Sequence, residues 1–227
     1  MHQQVAQTQA LIAEYARKRG KLYQPIPEGL ADLFTVKLPV EKEPLEWPYI
    51  RDTYDDWHKK RVLDFGADIG YFVDGLADRG ADVTAVESHV KALQIAASLY
   101  STRLAVGRPY KGKAAWYNTL PLEGNYDMIL LLNVYHWLVR DKGGVEKAKP
   151  FLLNLLNRTQ YMWFSCPLEP LMADKKRGKL WETQPAQTEW LDNLAENIVV
   201  VEAFNGLRRN ATQERTLYLL LNTNYGK

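Results

Sequence analysis

A three-layer α/β sandwich built on a mostly parallel sheet is the fold this chain predicts, and three observations predict it. From residue 60 onward, short apolar runs alternate with longer stretches of helical periodicity. The first run, Arg61-Val-Leu-Asp-Phe65, leads into a turn punctuated by Gly66 and Gly70. The last two strand-like runs follow one another with no helical pattern between them, so they pair antiparallel. Strands joined through helices run parallel, and the crossovers cover both faces of the sheet.

The elements follow in order. Residues 1–19 form a helix with Val5, Leu11, Ile12 and Tyr15 as its apolar positions, stopped by Gly20. Prolines at 25, 27, 39, 44 and 48 then forbid a long regular element and leave room only for a short helix at 28–34. Residues 1–59 thus read as an N-terminal helical and irregular segment that packs over an edge or mouth of the sheet, and residues 60–227 as the sheet-bearing domain. Strands are expected at 62–65, 83–87, 114–117, 127–133 and 161–166, with helices at 71–79, 90–99 and 145–156. Residues 197–204 and 216–222, joined by Asn205-Gly206 and a polar stretch, make a terminal hairpin.

Composition narrows the function classes. Of 227 residues, 46% are hydrophobic and 25% charged, which suits a globular domain with a packed core. The formal charge of +2 is too small to argue for nucleic acid, and the basic spots at 17–19, 175–177 and 208–209 read as separate solvated patches. The single cysteine, Cys166, excludes an intrachain disulfide and sits in an apolar run that suits a buried thiol. No apolar run reaches the roughly 18 residues of a membrane span. The first residues lack a secretory pattern, so a cytoplasmic setting is expected. His2, His58, His89 and His136 are scattered, and no metal site is expected. Hydrolase elbows and phosphate-cradling loops are also missing.

The chemistry concentrates at the glycine turn. Gly66 and Gly70 let the backbone bend sharply and approach a ligand where a Cβ would clash. Such a turn alone also fits an ordinary strand-to-helix connection. Glu87 adds a second feature, because it lies about 20 residues on, at the tip of the next strand, where an acid accepts hydrogen bonds from a ribose diol. The two together point to an adenosine cofactor. A dinucleotide fits poorly, since its glycine spacing differs and Asp68 places negative charge where a pyrophosphate would rest.

Three stretches carry a family resemblance. Asp64-Phe-Gly-Ala-Asp-Ile-Gly70, Glu87 and Tyr126-Asp-Met-Ile-Leu-Leu-Leu-Asn-Val-Tyr-His-Trp137 together resemble, in order and spacing, the class I S-adenosylmethionine-dependent methyltransferases. The resemblance runs from about residue 60 to the end and implies a Rossmann-like seven-stranded sheet with an antiparallel last strand. A weaker likeness, in residues 143–171, is to methyltransferase domains associated with surface-polysaccharide chain termination.

Residue roles follow from that resemblance. S-adenosylmethionine is the implied cofactor, with Asp64, Gly66, Asp68, Gly70, Glu87, Asn118 and Asn133 as its binding residues. Glu87 would take the ribose hydroxyls, Asn118 the adenine amino group and Asn133 the methionine portion. Asp68 departs from the family's usual middle glycine; it either faces the cofactor's cationic groups or caps the following helix. Asn118 equally suits a loop cap, and Arg51 is a candidate for the cofactor carboxylate. His136 follows the fourth strand and is the candidate general base, against a reading as a packed histidine. Trp47, Tyr49, Trp57 and Trp137 are candidates for an acceptor pocket or for the core. A small-molecule or saccharide-type acceptor is favoured. Nucleic acid stays open but not favoured, because the Asn-Pro-Pro-Tyr signature is replaced by Asn133-Val-Tyr-His136. A noncatalytic protein that keeps the fold is the remaining alternative.

Overall fold

A computed structural model describes residues 2–20, 22–34, 44–120, 124–168, 180–208 and 214–226. The strands are β1 Arg61–Phe65, β2 Asp82–Val86, β3 Lys113–Tyr117, β4 Tyr126–Leu132, β5 Thr159–Ser165, β6 Ile198–Arg208 and β7 Glu214–Asn222. They form one seven-stranded sheet in the order β3-β2-β1-β4-β5-β7-β6. The pairs β1/β2, β2/β3 and β4/β5 are parallel, whereas β7 runs antiparallel to both β5 and β6. This is the sheet the sequence predicts. Helices α1 His2–Arg19, α2 Trp47–Arg51, α3 Tyr71–Asp78, α4 Val90–Ala105, α5 Tyr135–Lys142, α6 Val145–Leu156 and α7 Gln184–Asp192 connect and flank it. None of the described helices is long and apolar enough to cross a membrane. The chain divides into two compact units, Met1–Leu122 and Glu123–Lys227.

In the first unit, α1 lies along α4. Ile12, Tyr15 and Ala16 of α1 meet Ala92, Ile95 and Leu99 of α4, together with Leu22, Leu30 and Ile69. Leu22 and Leu30 belong to the proline-rich stretch, where prolines forbid a long helix and the chain instead makes a short 3-10 helix at Glu28–Leu33. Thr8, buried on the same face of α1, hydrogen-bonds Ser98 Oγ at 2.6 Å and Thr102 Oγ1 at 2.8 Å, so the interface has a polar register point.

A buried ion cluster joins α3 to α4. Arg103 is 2% exposed. Its Nε and Nη2 donate to the two oxygens of Asp74 at 3.0 and 2.8 Å, and its Nη1 and Nη2 donate to Asp78, both at 2.7 Å. Nη1 also donates to the Arg108 carbonyl at 2.9 Å, and Tyr110 stacks under the guanidinium. Every nitrogen of the fork is satisfied, which is the condition for burying it. Burial opposes the arginine's charge, but its hydrogen bonds to Asp78 and Asp74 and their negative charges outweigh it and hold its pKa above the ordinary value.

In the second unit, Met128, Ile129, Leu130 and Leu131 of β4 are fully buried. That unbroken apolar run is what a strand covered on both faces requires. Helix α5 ends at Gly143, whose left-handed φ of 82° lets its amide reach the Val139 carbonyl. The β6/β7 pairing shifts register between Val200 and Glu202 and again between Phe204 and Leu207, as bulged ladders do.

Three helices were not anticipated. In α7 only Gln187 and Leu191 are buried, so no apolar stripe marks it; Thr183 caps it by accepting from the Ala186 amide at 3.4 Å. Helix α5 follows β4 after two residues, and Val134 at its N-cap offers no capping side chain. Helix α2 is a five-residue segment between short turns. Helix α4 also runs past the expected end to Ala105, because Thr102 and Arg103 are buried by the partners described above. The basic residues at 175–177 and residues 209–213, which join β6 to β7 and include Arg209, lie outside the described residues.

Candidate functional site

The glycine turn is left-handed at three positions. Gly66 has φ 89°, Gly70 φ 94° and Asp68 φ 49°. Glycine adopts this region freely, whereas aspartate does so at some cost. Neighbouring strand β2 holds the turn in shape. The amides of Gly66 and Ala67 both donate to the Val86 carbonyl, at 2.8 and 3.0 Å. The next amide, that of Asp68, donates to Glu87 Oε2 at 2.9 Å. Glu87 Oε1 accepts from the His89 amide at 2.6 Å. Glu87 therefore stands at the tip of β2 with its carboxylate turned to the glycine turn.

Asp68 is not a helix cap. The N-cap of α3 is Gly70, and the helix has no side-chain cap of its own there. Asp68 Oδ1 instead accepts from the Tyr15 hydroxyl of α1 at 3.0 Å, and Oδ2 is buried without a partner. The first amide of α3, that of Tyr71, is satisfied by Gln24 Oε1 at 3.0 Å. Gly70 is close-packed: a Cβ there would lie 2.8 Å from Cζ2 of Trp116 on β3.

Asp64, at the end of β1, completes a group of three acids. It is 3% exposed, and its Oδ2 has no partner. Burial, followed by the charges of Glu87 and Asp68, pushes its carboxyl up to about 8. Burial also raises the Asp68 carboxyl, although the Tyr15 hydrogen bond opposes it. Unpartnered buried carboxylate oxygens are costly. A ligand that brings positive charge and hydroxyl donors satisfies them, and one that brings phosphate does not. This set of acceptors therefore fits an adenosine cofactor with a sulfonium and an ammonium group. Asn118 is exposed in the bend after β3, next to Tyr117, whose carbonyl accepts from the Glu87 amide at 3.0 Å.

In the second unit, Asn133 directly follows β4 with φ 59°. It is 4% exposed, its amide donates to the Ser165 carbonyl at 2.8 Å, and both polar atoms of its side chain are buried without partners. His136 lies in the first turn of α5, its ring 4.8 Å from that of Trp137. Burial, reinforced by Arg215 and Arg140, lowers its pKa from 6.5 to about 4. The imidazole is therefore neutral at pH 7 and less basic than an exposed histidine. Cys166 is buried, and burial raises its thiol far above the ordinary range, as an inert structural thiol requires.

Other candidates resolve as follows. Arg51 forms a bidentate pair with Asp52 at 2.7 and 2.8 Å. Trp47 and Trp57 belong to the core, at 1% and 3% exposed, and Trp137 is 48% exposed. Sequence reasoning passed over Tyr15 and Gln24 as site residues. Tyr15 was legible only as an apolar helix position, and nothing local marks Gln24 as the partner of a helix 47 residues away.

No family model matches the sequence, and no curated protein is significantly similar to it. Solved structures share its fold. The magnesium protoporphyrin IX methyltransferase ChlM from Synechocystis PCC 6803, crystallised with SAH, superposes with a TM-score of 0.55 at 14% identity, covering 78% of each chain. The bifunctional kinase-methyltransferase WbdD gives 0.65 at 17% identity over 92% of this chain and 46% of that one. This chain thus spans about half the length of WbdD. An S-adenosylmethionine-dependent methyltransferase from Clostridium acetobutylicum ATCC 824 gives 0.50 at 11% identity, covering 71% of this chain and 83% of that one. The chain has the class I methyltransferase fold.

Proposed function

We propose that the protein is an S-adenosylmethionine-dependent methyltransferase acting on an O or N nucleophile of a small-molecule or saccharide-type acceptor. One observation carries the reading: the left-handed Gly66–Gly70 turn converges with Glu87 and with the unpartnered carboxylate oxygens of Asp64 and Asp68. The cofactor supplies a methyl group already activated on a cationic sulfur. In this reading Glu87 grips the ribose hydroxyls, and Asp64 and Asp68 balance the cofactor's positive charge. Gly66 and Gly70 keep the turn clear of side chains, and Asn118 faces the adenine amino group. Asn133 offers its side-chain carboxamide to the methionine portion. Alignment of the nucleophile with the methyl supplies roughly 7 to 11 kcal/mol through proximity. His136 accepts the nucleophile's proton as a neutral imidazole.

The same proposal assigns residues 60–227 to the transferase domain and residues 1–59 to a segment that covers its cofactor turn, in a cytoplasmic protein. The weak basicity of His136 favours a second reading, a noncatalytic protein that keeps the fold and binds the cofactor. Calorimetric titration with S-adenosylmethionine and S-adenosylhomocysteine tests the binding step, and absence of heat with both would remove the proposal. Methyl-labelled cofactor offered with saccharides, metabolites and RNA then separates enzyme from scaffold.

A further inference from the structure

Buried polar atoms without partners call for an explanation, and a bound anion is one that suits clustered donors. Among the described residues of Glu123–Lys227 they are Nδ2 and Oδ1 of Asn133, Nδ1 of His136, Oγ of Ser165, Nε1 of Trp181, and Nε and Nη1 of Arg215. Most are donors, and one carries a full positive charge. Strand register brings two of them to one side of the sheet. Ser165 pairs with Leu217, and Arg215 lies two residues before Leu217 in β7, so its side chain leaves the same face. The Asn133 amide, bonded to the Ser165 carbonyl at 2.8 Å, sets the end of β4 beside Ser165, with β5 between it and β7.

The charge balance is one-sided. The two charges that act on His136 are Arg215 and Arg140, both positive. Arg140 is paired with Asp141 at 3.0 Å, whereas Nε and Nη1 of Arg215 have no acceptor among the described residues. A guanidinium nitrogen buried without an acceptor is unfavourable until an anion arrives, and its planar fork matches carboxylate and phosphate geometry.

We propose that Arg215, with the Ser165 hydroxyl, forms a subsite for an anionic oxygen group on the acceptor, either a carboxylate or a phosphate ester. The word acceptor rests on the methyltransferase reading; binding of the anion does not. The subsite selects acceptors by charge, and the neighbouring neutral His136 adds a polar group without adding a second cation.

The test uses the full chain and two probes, phenyl phosphate and benzoate, at matched ionic strength with sodium chloride as the control. Thermal melting should show a saturable rise in Tm with at least one probe, and the responsive probe tells phosphate from carboxylate. Arg215→Gln should weaken that probe by about tenfold or more, as loss of a charged hydrogen bond does. Arg215→Lys should keep part of the affinity, and Ser165→Ala should lose several-fold. No saturable rise with either probe, or an Arg215→Gln protein that responds like the wild type, overturns the subsite. If Arg215→Gln does not melt cooperatively, the comparison of Arg215→Lys and Ser165→Ala with wild type decides in the same way. Calorimetry with S-adenosylmethionine on the same samples separates the two claims. Unchanged cofactor affinity in Arg215→Gln is expected, and a tenfold loss would assign Arg215 to the cofactor and overturn its acceptor role. A wild type that binds probe but no cofactor overturns the methyltransferase reading and leaves the anion site standing.

Discussion

The hydroxyl of Tyr15 donates to Oδ1 of Asp68 over 3.0 Å, tying the N-terminal helix to the middle of the glycine turn. Arg19 sits over the Tyr15 ring at 4.7 Å, and the His89 ring meets its edge at 5.8 Å. Asp68 keeps its left-handed backbone because its amide is bound by Glu87 and its side chain by Tyr15. Tyr15→Phe leaves both Asp68 oxygens without partners, at a cost of about 1 to 3 kcal/mol. Urea denaturation should register that loss, and calorimetry should show weaker cofactor binding. A variant equal to wild type in both would disconnect α1 from the site.

Glu87→Ala removes the acceptor for the Asp68 and His89 amides together with the proposed ribose acceptor. A charged hydrogen bond is worth about 1.5 to 3 kcal/mol, so affinity for S-adenosylmethionine should fall by roughly 10- to 100-fold. Glu87→Gln, which keeps an oxygen but not the charge, should fall between. Unchanged affinity in the alanine variant removes the ribose assignment.

Asp64 makes both stability and binding depend on pH. Its carboxyl, ordinarily near 3.8, is pushed up to about 8 by burial and then by Glu87 and Asp68. The folded chain keeps a proton that the unfolded chain releases, so this contribution is full below the ordinary value, declines as pH rises and is gone above about 8. Asp64→Asn should therefore lose less stability than wild type across that window in urea melts. A cation beside Asp64 favours its ionised form, so cofactor binding should release a proton. Titrations in buffers of different ionisation enthalpy would detect it, and equal heats in all buffers would count against contact with Asp64.

For His136 the sign is reversed. Its imidazole is depressed from 6.5 to about 4, so its contribution to stability is present above 6.5 and lost as pH falls through about 4. The acid limb of kcat should accordingly lie near the lower value. If the imidazole accepts the proton, His136→Ala should reduce kcat by about 100-fold, the low end for such a base. A wild-type limb at the ordinary histidine value, or undiminished turnover in the variant, would dismiss the role.

The fold was legible because its signals are local. The continuous apolar run of β4 and the glycines after β1 need no knowledge of their neighbours, and both stand where expected. Helices α5 and α7 escaped because neither carries the capping box or wide apolar stripe that announces a helix. The site was legible only in its first layer. Glu87 follows from strand length and spacing, but the partners of Asp68 and Tyr71 come from residues 15 and 24, a separation over which sequence pattern carries no pairing information. The depressed His136 and elevated Asp64 likewise depend on burial and on distant charges, which only folding assigns.

The Arg103 cluster should show its importance in stability alone. Arg103→Met leaves Asp74 buried without its counter-charge, and breaking a buried pair from one side costs about 3 to 5 kcal/mol. Chemical denaturation should show a loss of that size. A cost under about 1 kcal/mol would mean that Asp74 takes up a proton and tolerates the vacancy.

Ile69 sits in the shared apolar cluster of α1 and α4 while its neighbours bend around the glycines, and Gln24 holds the first amide of α3. Fraying of the N-terminal helix would therefore loosen the proposed cofactor turn, although α1 supplies none of the residues proposed to meet the ligand. Amide hydrogens of Ile69, Gly70 and Tyr71 should exchange in step with those of α1, so that truncation at the amino end would act as a remote brake on affinity.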